Sequence, residues 1–150
     1  MMSQQAVRLS FHPQATMLET PDGLAVMLRI SMQYLAQTVM KHDPPTAIEI
    51  ERVIDLIEES LRGVGTEFKA SQVLMTAEPV LRSLPGLDMP GASLERDAVE
   101  NMFGLLANRA LGTPVSEHLL PRGKDIAAAL VMLRECMHHL GFDRILVIDN

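Results

Sequence analysis

Lys124–Leu140, KDIAAALVMLRECMHHL, is the stretch whose reading decides the fold. At 3.6 residues per turn, Ile126, Ala129, Leu130, Leu133, Cys136, Met137 and Leu140 fall on one stripe. Ala127, Ala128, Val131 and Met132 make the opposite side of its first half apolar as well. A helix that is apolar all round belongs in the buried centre of a bundle. Gly141 then offers the left-handed backbone that stops it.

Working outward, a second apolar segment runs from Leu24 to Lys41, where Leu24, Met27, Leu28, Leu35 and Val39 recur at helical spacing. Two such helices exceed what one small domain can cover, which predicts a self-association surface at Ile30, Met32, Tyr34, Ala36 and Met40. Between them, Thr46-Ala-Ile-Glu49 matches a capping box. The helix it opens has Ile50, Val53, Ile54, Ile57 and Leu61 on one side. Glu58–Arg62 on that helix is a favourable i,i+4 pair. Thr76 and Ser93 read as caps of two more helices, one short and one over about 94–111.

Strand signals are sparser. Val7, Leu9 and Phe11 alternate with polar residues, RILVID after Phe142 is rich in branched residues, and SQVLMT from Ser71 is a third candidate. The expected architecture is therefore α+β but mainly α. Four to five helices pack around a central 124–140 helix, with two or three short strands, as a single helical domain over 1–150.

Composition narrows function by exclusion. Hydrophobic residues make up 47% of the 150-residue chain, too many for disorder, and aromatics only 3%, so the core is aliphatic. The net charge of −6, with no Lys/Arg run, argues against nucleic acid and against an anionic membrane surface. The apolar run Ile126–Leu133 is far shorter than the roughly 20 residues a membrane span needs. MMSQQAVRLSF lacks a basic segment followed by a long apolar stretch, and a cytoplasmic location is the expectation.

The residues with most chemistry are Glu135, His138 and His139. Glu and His spaced along a helix can share a metal in bundle carboxylate sites. Only one Glu-x-x-His occurs, however, and the wheel sets Glu135 and His139 about 40° apart on the side away from the main stripe. The plainer reading is an exposed i,i+4 pair at a helix end. Cys136, two residues from His138, cannot meet it side to side, and its stripe position predicts an inert thiol. Gly63-Val-Gly65 lacks the rest of a phosphate cradle. Glu51, Asp55, Glu58 and Glu59 form an acidic face that would suit a basic protein partner.

No catalytic set assembles from the sequence. The reading that follows is a non-catalytic protein-binding or accessory protein, homodimeric and without a cofactor. The alternative is a small metal-binding enzyme or metal sensor at Glu135, His138 and His139, where a bound metal is the one cofactor the residues allow.

Overall fold

A six-stranded mixed sheet, not a helical bundle, is the base of the molecule in its computed structural model, which describes residues 6–68 and 73–149. Met1–Gln5 of the opening MMSQQAVRLSF, and Ser71 and Gln72 of the expected SQVLMT strand, lie outside them. The strands are β1 (Ala6–His12), β2 (Ala15–Glu19), β3 (Ala25–Leu28), β4 (Val73–Thr76), β5 (Ser93–Glu95) and β6 (Arg144–Val147). Their order is β3-β2-β1-β4-β6-β5. β1, β2 and β3 form an antiparallel meander, β4 and β6 run parallel to β1, and β5 runs antiparallel to β6.

The helices are α1 (Met32–Tyr34, widening into a π-helical turn over Leu35–Val39), α2 (Ala47–Leu61), α3 (Pro79–Arg82), α4 (Arg96–Ala110) and α5 (Lys124–Leu140). The β1→β4 and β4→β6 crossovers step across the sheet in the same direction. Parallel crossovers are almost always right-handed, so both place their helices on one face. Burial agrees. Val7, Leu9, Leu18, Leu28, Leu74, Ile145 and Val147 join the helices in one hydrophobic cluster. Their alternates Arg8, Ser10, Met17, Glu19, Met75 and Leu146 do not. The second face of the sheet therefore carries no helix among the described residues.

The mainly helical expectation fails at Leu24–Lys41. Residues 25–28 pair with β2 in register, Met17 against Met27 and Leu18 against Val26, and the helix shrinks to 32–39. Period alone could not tell a short apolar strand from a helix turn. Ser93 likewise begins β5 rather than capping α4, whose N-cap is Glu95. α2 keeps its capping box, with Glu49 N–H on Thr46 Oγ1 at 3.1 Å and Thr46 N–H on Glu49 Oε1 at 3.1 Å.

α5 spans 124–140 and is buried on every side from Ala127 to Leu133. It is not the centre of a bundle, however. It is sandwiched between the sheet and α1, α2, α3 and α4. Gly123, at φ +128°, turns the chain into it. The loop before it is pinned from within by Arg109, whose guanidinium donates to the carbonyls of Val115 and Leu120, both at 2.8 Å. No described helix is long and apolar enough to cross a membrane.

Candidate functional site

Two groups of polar side chains stand out, at opposite ends of the parallel strands. The first is on the open sheet face. Arg8 lies beside Glu19 on β2 and Met75 on β4, and Ser10 and His12 follow it along β1. These residues floor a cavity of about 610 Å³. Glu19–Pro21 wall it on one side and Ala77–Pro79 close it at the carboxyl end of β4. Ser10 Oγ and His12 Nε2 are 3.0 Å apart. Glu78 is fixed there, its Oε2 accepting the Phe11 N–H at 3.0 Å. A second cavity, of about 530 Å³, shares Pro79 and continues to Arg122 and Lys124 at the start of α5. In open α/β sheets, ligands bind outside the carboxyl ends of the strands.

Neither turn here contains a glycine: the hairpin is Pro13-Gln14 and the β4–α3 connection is Ala77-Glu78. A backbone cradle of the Gly-rich kind is absent, so any anion would be held by side chains. Gly63 and Gly65 lie after α2, at the other end of the molecule, and Gly65 lines a different cavity.

The second group is Glu58, Glu135 and His139, where α2 and α5 end. Among the described residues these three could hold a metal ion, with ligand atoms all within 4.8 Å of one another. His139 Nε2 lies 3.1 Å from Glu58 Oε2 and 3.2 Å from Glu135 Oε1. Glu135 is 1% exposed, against the expectation of a surface pair. The cause is Arg134, which reaches from α5 to Glu100 on α4 (2.9 Å), stacks 4.1 Å from the Phe103 ring and binds Glu135 Oε2 at 2.8 Å. Burial pushes the Glu135 carboxyl above its ordinary range, and the facing Glu58 adds to this against Arg134 and His139. Contact with Glu135 and with His139 holds the Glu58 carboxyl below its ordinary range.

The other expected site residues scatter. His138 is exposed and meets His139 only edge to face, centroids 5.0 Å apart, so it stands outside the group. Ile30, Ala36 and Met40 are buried in the chain's own core, Met32 is half-buried, and Tyr34 is exposed. The expected dimer surface therefore does not exist as one patch. Glu51, Asp55 and Glu59 are exposed on α2, while Glu58 turns to His139 rather than pairing with Arg62. Burial pushes the Cys136 thiol up to about 12, which keeps it protonated and inert.

The polar alternation Arg8, Ser10, His12 is visible in the sequence, but Glu19 comes from β2 and Glu78 from the turn after β4. For Glu58 the sequence offers an acidic face and an i,i+4 pair with Arg62, because its partner His139 is 81 positions away.

No family model matches the sequence, and no curated protein does. Solved structures do. A Ppx/GppA enzyme of Aquifex aeolicus superposes with a TM-score of 0.73 at 18% identity, over 99% of this chain and 54% of its own. An exopolyphosphatase from Cytophaga hutchinsonii gives 0.69 at 11% identity, over 99% and 54%. An exopolyphosphatase-like protein gives 0.67 at 14%, over 96% and 55%. The chain thus has the fold of these phosphatase-type proteins and spans about half their length. That likeness overturns the reading as a non-catalytic, homodimeric accessory protein, which rested on a helical bundle with surplus apolar faces.

Proposed function

We propose that this chain is a catalytic phosphohydrolase module that works on phosphoanhydrides of the polyphosphate type. The observation that carries the reading is the coincidence of that fold with an open cavity at the carboxyl ends of β1 and β4. Arg8 and His12 supply donors for phosphoryl oxygens, and Ser10 supplies a hydroxyl. Beyond Pro79, Arg122 and Lys124 offer further donors for a chain longer than one phosphate, beside the carboxylates of Asp43 and Asp125.

In the reaction, a water oxygen bonds to the terminal phosphorus while the bridging P–O bond breaks. The electron pair leaves on the bridging oxygen, and orthophosphate departs. The water's proton passes to Glu78, whose carboxylate the Phe11 N–H holds at the cavity's edge. Arg8 offsets the charge that builds on the equatorial oxygens.

Orthophosphate release from long-chain inorganic polyphosphate in Mg²⁺ buffer tests this, paired with calorimetric titration of the same polymer. Saturable release that falls in Arg8→Ala is the expected result. Absence of both release and binding would overturn it.

A further inference from the structure

We infer that Glu58, Glu135 and His139 form a divalent transition-metal site that ties the end of α2 to the end of α5. The site stands apart from the phosphohydrolase pocket, on the other face of the sheet and at the amino ends of its parallel strands. It does not depend on that reading.

The first argument is an orphan. Glu135 Oε1 is buried and has no hydrogen-bond partner. The carboxylate's other oxygen is held by Arg134, which is itself locked by Glu100 and Phe103, so Oε1 stays aimed at His139 and Glu58. One imidazole N–H serves one acceptor well, and it is aligned with Glu58. A cation between the three would satisfy both carboxylate oxygens and take the Nε2 lone pair. Outer partners that fix a ligand in this way are a regular part of metal sites.

The second argument is spacing. Zn–N and Zn–O bonds of roughly 2.0–2.2 Å place tetrahedral neighbours about 3.3 Å apart. His139 Nε2 already lies 3.1 and 3.2 Å from the two carboxylate oxygens. Entry of an ion would need shifts of only tenths of an ångström on those two edges.

Access and field agree. A cavity of about 390 Å³, bordered by Glu58, Arg62, Phe68 and His139, opens onto the group and has room for water in the remaining coordination position. The negative ends of two helix dipoles converge there. One imidazole and two carboxylates suit Zn²⁺ and its first-row neighbours. They lack the thiolates a soft ion selects and the six or more oxygens of a Ca²⁺ cage.

Calorimetric titration of the untagged full chain with ZnCl₂, alongside thermal melts, decides the matter. Wild type should take one Zn²⁺ per chain and melt higher with it. His139→Ala and Glu58→Gln should each weaken binding by at least the roughly tenfold that outer partners alone cost. His138→Ala should bind as wild type. Glu58 is half-exposed, so its variant keeps the test open if Glu135→Gln fails to fold. Absence of saturable one-to-one uptake would overturn the site, as would wild-type affinity in both ligand variants. An equal loss in His138→Ala would also overturn it, by moving the ion to the histidine pair.

Discussion

At the carboxyl ends of β1 and β4, the polar groups come from strands and turns and face a cavity that no described helix covers. At the amino ends, Glu58, Glu135 and His139 hang from two packed helices, and one carboxylate is buried beneath an arginine. The same chain thus builds one polar cluster that can be altered with little effect on packing and one that is wired into it. Chemistry that must admit a large anion suits the first. A clip that must hold its geometry without substrate suits the second.

The contrast is sharpest in stability. Arg134→Ala removes the cation that compensates buried Glu135 and uncouples α4 from α5, and should cost about 3 kcal/mol in urea unfolding at pH 8. Arg8→Ala, on the open face and away from the helix packing, should cost clearly less on the same curve. If the two losses were equal, the comparison would break.

Activity should reverse the order of importance. Arg8→Ala is expected to lower kcat/KM for polyphosphate by about a hundredfold, the scale of losing one donor to transition-state charge. Orthophosphate-release kinetics give the number directly.

A smaller effect is expected at Glu49, which belongs to neither end. Partial burial alone would raise its carboxyl, but His42 and the N–H groups of Thr46 and Lys41 hold it below the ordinary range. A lowered carboxyl contributes stability above its unfolded value, near about 4.3, and that contribution is lost as pH falls through the folded value. Glu49→Gln should therefore cost about 1 kcal/mol at pH 7. Wild type and variant should converge once the pH of a melt series has fallen below that folded value.

Cys136 should give the least response of all. With its thiol pushed up to about 12 and fully buried, labelling by a thiol reagent should proceed only as fast as the protein unfolds. Rapid native-state labelling would show that α5 is less enclosed than its neighbours make it.

What the sequence showed best was whatever a single segment decides. The capping box of α2, the extent of α5 and the alternation in β1 all depend on neighbours within a few residues. β2, β3 and β5 were missed because each is short and is defined by the strand it pairs with. Apolar residues 24–28 fit a helical stripe as well as a strand until Met17 and Leu18 are set beside them. The same limit governs the sites. Glu135 and His139 share a helix and lie 3.2 Å apart, but the burial of Glu135 comes from Glu100, Arg134 and Phe103, and its third companion sits on α2.

The enclosure of α5 also governs how the molecule opens. This helix touches α1, its π turn, α2, α3 and α4, so no one of those neighbours can detach without baring part of it. The backbone amides from Ala127 to Met137 should therefore exchange with deuterium only through whole-molecule unfolding. Those of β3, at the sheet's edge with Met27 exposed, should exchange by local fraying. The helix would then report global stability, and β3 the looseness of the open face beside the β1–β4 cavity.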